Sequence, residues 1–152
     1  MAFYQFRRQQ LVHTKQETLW NFISSPENLS KITPEHMNFH ITTPDLPNKM
    51  YKGMIIAYRL RLFSAFKATW VTEISNIEEG KYFVDTQLIG PYKLWHHQHI
   101  LTPTDNGILM TDIVSYAPPL GIFGIVANHL FIKQQLNNIF IYREKALNNL
   151  FK

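Results

Sequence analysis

The chain has 152 residues, of which 45% are hydrophobic, 14% aromatic and 17% charged, with a formal net charge of +4 and no cysteine. A chain of this length buries roughly 70% of the surface its unfolded form exposes, so one compact domain over residues 1–152 is expected and disorder is excluded. The missing cysteines exclude disulfides, thiol nucleophiles and Cys-ligated metal centres; with no charged-then-apolar leader and no run of about 20 apolar residues, a cytoplasmic protein without stable membrane insertion is expected.

Residues 3–13 alternate apolar and polar side chains, the period of a half-buried strand. Thr14 as N-cap with Glu17 three residues on reads as a capping box opening a helix whose apolar face is Leu19, Trp20, Phe22 and Ile23. Pro26 stops it, and Pro26–Thr33 reads as a second short helix with proline at its first position. From His36 to Tyr116 the pattern is strands only. The runs are 36–43, 53–63, 65–77 with a hinge near Ser64 and Ala65, 81–90, 92–102 and 107–117, parted by turn signals such as Glu78-Glu79-Gly80, Gly90-Pro91 and Asp105-Asn106-Gly107. Short turns make an antiparallel meander the economical topology. From about Ile122 to Phe151 an amphipathic helix carries the stripe Ile132, Leu136, Ile139, Phe140, Arg143, Leu147 and Leu150. At 1.5 Å per residue it spans roughly 40 Å, so it must lie across the whole sheet.

Basic residues do not form a stripe. Beyond Arg7-Arg8 they are scattered singles such as Lys15, Lys31, Arg59 and Lys93, and no nucleic-acid-binding module is present, so no nucleic-acid partner is expected. Eleven Phe, seven Tyr and three Trp exceed what a small core needs.

The order strand, two short helices, six strands and one long helix is similar to the helix-grip fold of the START-like superfamily. Gly90-Pro91-Tyr92-Lys93-Leu94-Trp95 resembles the Gly-Pro-aromatic turn of its bacterial SRPBCC ligand-binding branch, which includes polyketide cyclase/dehydrase and ubiquinone-binding relatives. Asp85-Thr86-Gln87, Trp95–His99, Thr111–Tyr116 with Pro118–Gly121, and Ile139–Arg143 resemble that branch too. The resemblance implies an α+β helix-grip fold, a curved antiparallel sheet of about seven strands wrapped around the C-terminal helix, with an elongated cavity between them. Aromatic side chains suit the walls of such a cavity, which are mostly apolar with a few placed polar groups.

Alternation selects those groups. Phe83, Asp85 and Gln87 share one strand face, as do Trp95, His97 and His99, and Asp112 and Tyr116; with all three faces inward they form a polar patch in an aromatic groove. Trp70 is the cavity candidate of its strand. The patch has three readings: an internal hydrogen-bond network, ligand orientation, or general acid/base chemistry by a His–Asp pair, with His97, His99 and Asp112 as catalytic candidates. His97 and His99 with Asp85 or Asp112 are also conceivable metal ligands, but zinc takes three or four ligands with an ordered second shell, so no metal and no cofactor are assigned. Residues 117–132 are apolar nearly all round, reading as core, as a gate for an apolar ligand, or as a membrane or dimer contact. Phe123 and His129 in this segment join the ligand-binding candidates. So does Arg143, which either pairs with a buried carboxylate or anchors an acidic ligand head. No phosphate loop, Gly-x-Ser-x-Gly or His-Glu-x-x-His occurs, and Asn28-Leu29-Ser30 is only a formal glycosylation match.

Three functions follow from this reading. The first is binding of a hydrophobic or amphipathic small molecule such as a lipid, isoprenoid or polycyclic compound, for transport or sequestration, by a monomer or weak homodimer. The second is a cyclase/dehydratase-type enzyme using a cavity His–Asp pair. The third is an interaction module acting through the apolar 117–132 surface.

Overall fold

The computed structural model describes residues 1–63 and 65–152. Strand β1 (Tyr4–Val12) leads to helix α1 (Gln16–Ile23), followed by 3-10 turns at Pro26–Ile32 and Glu35–Met37. Strands β2 (His40–Ile41), β3 (Ile55–Leu62), β4 (Phe66–Glu78), β5 (Tyr82–Ile89), β6 (Leu94–Thr104) and β7 (Gly107–Ala117) come next. Helix α2 (Ile122–Ala127), a π-helical turn (Asn128–Ile132) and helix α3 (Lys133–Leu150) then run on without a break. Among the described residues the sheet has seven strands in the order β1-β7-β6-β5-β4-β3-β2, and every pair is antiparallel. The α+β helix-grip architecture is therefore the one the sequence implies.

Closure of the sheet onto the helix has a local cause. In β4 the register steps between Ile74 and Asn76 against Asp85 and Val84, which leaves Ser75 as an extra residue. Such a bulge bends and twists its strand. Its effect is visible in burial: Trp70, Thr72 and Ile74 alternate into the core, and the pattern resumes one residue late at Ile77. Gly107 fixes the β6–β7 turn against the end of β1. It sits at φ +136°, and a Cβ there would meet Val12 O at 2.4 Å.

The long helix differs from a regular one at its middle. Its inner stripe is Gly124, Asn128, Ile132, Leu136 and Phe140, all at four-residue steps. In an α-helix each such step rotates the stripe by about 40°, which would carry it off the sheet within a few turns. The π turn takes in one more residue per turn and brings the stripe back. As a consequence Asn128 points inward and His129 is exposed, whereas unbroken α-helical spacing puts His129 on the inner face. Leu150, the last residue of the helix, is also exposed rather than part of the stripe.

Other local readings change as well. The Thr14/Glu17 capping box does not form: α1 starts at Gln16 with Lys15 as N-cap and no side-chain cap bond. The Thr14 N–H is already committed to Val12 O at 3.0 Å, which holds Thr14 in the turn leaving β1. The second helix is a 3-10 turn, and the strand read over 36–43 shrinks to His40–Ile41 because Asn38 takes a left-handed conformation (φ 48°). Of the hinge near Ser64 and Ala65, Ser64 lies outside the described residues; the Ala65 N–H donates to Leu62 O at 3.2 Å.

Among the described residues core packing falls into three groups. One gathers Leu19, Trp20, Ile56, Ile74, Phe83 and Leu147; a second gathers Val114, Tyr116, Ile132, Leu136 and Phe140; the third is Met37, Leu60 and Trp70. The space between them is the candidate site. Among the described residues no helix is long and apolar enough to cross a membrane.

Candidate functional site

Strand register assembles the polar wall of the site. Across β5 and β6 Asp85 stands opposite His97 and Phe83 opposite His99; across β6 and β7 His99 stands opposite Asp112. These residues share the inner face, so period-2 alternation brings the two imidazoles between the two carboxylates. The His97 and His99 rings lie 3.7 Å apart, and Phe83 stacks on His99 at 4.1 Å, locking its plane. From α3, Arg143 reaches Asp112 Oδ1 through Nη1 at 3.4 Å. His97, His99 and Asp112 are 4%, 4% and 5% exposed.

Every ring nitrogen of the pair faces a carboxylate. His97 Nε2–H donates to Asp112 Oδ1 at 2.8 Å and His99 Nε2–H to Asp85 Oδ2 at 2.7 Å, while His97 Nδ1 lies 3.5 Å from Asp85 Oδ2 and His99 Nδ1 3.2 Å from Asp112 Oδ1. Two neutral imidazoles own two protons for four such positions, so one added proton improves the network. Two carboxylates and one guanidinium carry a net −1, which a single imidazolium brings to zero. Burial and the adjacent His99 push His97 down to about 4. Burial also opposes charge on His99, but its hydrogen bonds to Asp112 and Asp85 outweigh it and raise His99 above the ordinary histidine value. Both carboxyls are held below the ordinary aspartate value in spite of burial, Asp85 by its bond from His99 and Asp112 by bonds from His97 and His99.

This wall bounds a partly open cavity of about 130 Å³ lined by Asp85, His97, His99 and Arg143, by Thr33, Thr72 and Gln135, and for the rest by apolar and aromatic side chains. An engineered apolar cavity of about 150 Å³ holds a benzene, so this space takes a ring-sized fragment. Trp70, Trp95, Tyr92 and Tyr58 form an aromatic box at one end, with Trp70–Trp95 at 5.1 Å and Tyr58–Trp70 stacked at 6.0 Å. A second, outer groove of about 430 Å³ runs between the β3–β4 and β5–β6 turns and α2, over Phe66, Pro119, Phe123 and Phe131. Leu62 and Tyr92 line both spaces and form the partition between them. Gly124 permits this groove, because a Cβ there would meet Pro119 O at 2.0 Å. Two buried donors of cavity-lining residues, Trp70 Nε1 and Arg143 Nε, have no acceptor among the described residues.

The residues singled out in the sequence separate by place. Trp70, Phe83, Asp85, Trp95, His97, His99 and Arg143 line the cavity. Asp112 stands behind the histidines rather than at the cavity surface. Gln87 closes the turn after β5, its Nε2 donating to Tyr92 O at 2.7 Å and its Oε1 accepting from the Tyr92 N–H at 3.3 Å. Tyr116 is buried and donates its hydroxyl to Asn128 Oδ1 at 2.7 Å. Phe123 is 79% exposed and belongs to the outer groove, and His129 faces solvent. Tyr58, Tyr92, Leu60 and Met37 line the cavity without having been singled out. Alternation of Ile56, Tyr58, Leu60 and Leu62 along β3 was a usable signal for Tyr58; Met37 sits on a 3-10 turn with no periodicity to reveal it.

No protein-family model and no curated protein matches the chain. Solved structures match it closely in shape. Protein CV1439 of Chromobacterium violaceum superposes with a TM-score of 0.73 at 12% identity, covering 97% of this chain and 96% of that one. Ginseng major latex-like protein 151 of Panax ginseng gives 0.74 at 9% identity, covering 100% and 99%. The nucleoside-diphosphate sugar epimerase of Corynebacterium glutamicum gives 0.65 at 20% identity, covering 95% of this chain and 28% of that one. At these identities the likeness is one of fold, and with it the chain has the helix-grip fold around a hydrophobic cavity, an arrangement suited to small-molecule binding.

Proposed function

We propose that the protein binds an elongated amphipathic small molecule, of the lipid, isoprenoid or polycyclic class, with its polar head at the Asp85–His97–His99–Arg143 wall and its apolar body passing Tyr92 and Leu62 into the outer groove. The observation that carries this reading is a cavity lined mostly by apolar and aromatic side chains in which the charged and imidazole groups, Asp85, His97, His99 and Arg143, gather in one cluster around Asp112. Ligand sites have this composition, with a few polar groups that fix orientation. The cavity's 130 Å³ is too small for such a ligand alone, since pockets for drug-sized molecules run to about 300–1,000 Å³. The adjoining groove supplies the remaining length. A head that accepts hydrogen bonds suits the cavity, because Arg143 Nε at the wall and Trp70 Nε1 in the aromatic box are buried donors without an acceptor among the described residues.

Native mass spectrometry of protein purified from its own host tests the reading, followed by thermal shifts against a panel of lipids and quinones. The expected result is a bound species of defined mass and stabilisation by amphipathic members of the panel. Repeated recovery of ligand-free protein with no thermal shift overturns it.

A further inference from the structure

We propose that Asp85, His97 and His99 form a binding site for one divalent first-row transition-metal ion at the polar wall of the cavity. Each residue offers one ligand atom, and the three atoms lie within 4.8 Å of one another. The nitrogens that face Asp85 Oδ2 are His97 Nδ1 at 3.5 Å and His99 Nε2 at 2.7 Å. Ions of this kind bind imidazole nitrogen and carboxylate oxygen at about 2.0–2.2 Å, so ligands on a common ion stand roughly 3.4 Å apart, the widest pair closing by up to about 1.4 Å and the His99–Asp85 pair opening by about 0.7 Å. Two imidazoles and one carboxylate are a donor set that zinc and ferrous iron both accept.

What distinguishes this trio from a chance cluster is the group behind it. Asp112 Oδ1 is 2.8 Å from His97 Nε2 and 3.2 Å from His99 Nδ1, the two ring nitrogens turned away from Asp85. One carboxylate oxygen thus backs both histidines, and Arg143 Nη1 anchors that oxygen at 3.4 Å. Metal-bound histidines nearly always donate their second N–H to a fixed acceptor, and a carboxylate is one of the recurring ones. Hydrogen-bond counting agrees. With both N–H groups on Asp112 and both lone pairs on an ion, all four ring nitrogens of two neutral imidazoles are satisfied, which the protein groups alone do not achieve.

Placement supplies the remaining requirement. Asp85, His97 and His99 line the cavity, while Asp112 does not, so an ion held by the three faces the open space and keeps coordination positions for water or a ligand head. The ion alone is the subject of this proposal. Metal binding without an apolar ligand, and ligand binding without a metal, are separable results because the titration below uses the ion alone.

Metal-stripped protein is titrated with Zn²⁺ by calorimetry and with Co²⁺ by visible absorption. The expected result is one equivalent bound, Co²⁺ ligand-field bands, and paramagnetic broadening confined to the resonances of His97, His99 and their neighbours in the unaltered protein. Asp85→Asn and His97→Gln should each weaken binding by at least 100-fold. Asp112→Asn, which removes no ligand, should weaken it by about 10–100-fold. Absence of a one-equivalent event, or broadening at surface histidines such as His13 and His36 instead, overturns the proposal. The broadening experiment on unaltered protein decides the matter even where a substitution prevents folding.

Discussion

The His97 and His99 rings lie 3.7 Å apart, tilted by 33°, while both reach the same oxygen of Asp112. Two rings so close, in a buried site, share one added positive charge poorly, and the environment separates their titrations. In metal-free protein His97 is driven down to about 4 and His99 is raised. Between pH 6.5 and 4 the unfolded chain therefore binds a proton at His97 that the folded protein refuses, so stability falls as pH falls through that window. His99 acts with the opposite sign: its contribution is full below the unfolded value of about 6.5 and is lost as pH rises through its folded value. The depressed carboxyls of Asp85 and Asp112 add a further loss below pH 4. Histidine NMR titration in the presence of a chelator should show the two residues on opposite sides of 6.5. Coincident titrations near 6.5 would refute this assignment.

Asp112 is the acceptor for both histidines and for Arg143 while being almost wholly buried. Its truncation removes the ion-pair partner of the Arg143 guanidinium and strips both imidazoles of their common carboxylate. Breaking a buried pair in this way costs about 3–5 kcal/mol. Asp112→Ala should therefore lose that much in urea unfolding, and Asp112→Asn, which keeps an acceptor oxygen, should lose less. Equal losses for the two variants would mean that packing, not charge, governs the position.

How much of this was legible in the residues depends on what positioned them. The inward set of His97, His99, Asp85 and Asp112 follows from period-2 alternation, a purely local property, and register then brought its members together. Gln87 obeys the same alternation but is drawn off by the Gly90–Tyr92 turn, whose backbone it bonds. His129 was placed inward by α-helical spacing, and the π turn at Asn128–Ile132 moved the inner position to Asn128. A widened turn has no signature in apolar periodicity alone. Likewise Thr14 and Glu17 match a capping pattern, yet the carbonyl of Val12 already held the Thr14 N–H. The partition at Leu62 and Tyr92 joins two distant turns and is a tertiary product.

The π turn has a fastening that can be measured. Asn128, its first residue, accepts the Tyr116 hydroxyl at 2.7 Å within the core of β7 and the long helix. Tyr116→Phe and Asn128→Leu should each cost about 1–2 kcal/mol, because each leaves a buried polar partner unsatisfied. The double variant removes both polar groups together and should cost clearly less than the sum of the singles. Additive losses in chemical unfolding would show that the bond does not fasten the turn.

Tyr92 is the hinge of the binding proposal, since its ring touches Trp70, Trp95 and Tyr116 at 5.8, 5.0 and 5.9 Å and separates cavity from groove. Being half-buried, it should cost about 2–4 kcal/mol on truncation to alanine, somewhat under the usual figure for a fully buried ring. The same truncation opens the cavity into the groove, so a fluorescent apolar probe such as 1-aminoanthracene should enter faster and bind more tightly. Leu60→Trp does the reverse: Leu60 is a buried lining residue, and the larger ring should fill the cavity at a cost of about 1–3 kcal/mol in overpacking. Probe fluorescence should then fall toward that of free probe while the fold, followed by circular dichroism, persists. If both variants bind the probe as the parent does, the probe sits elsewhere, and the continuity of cavity and groove has no part in uptake.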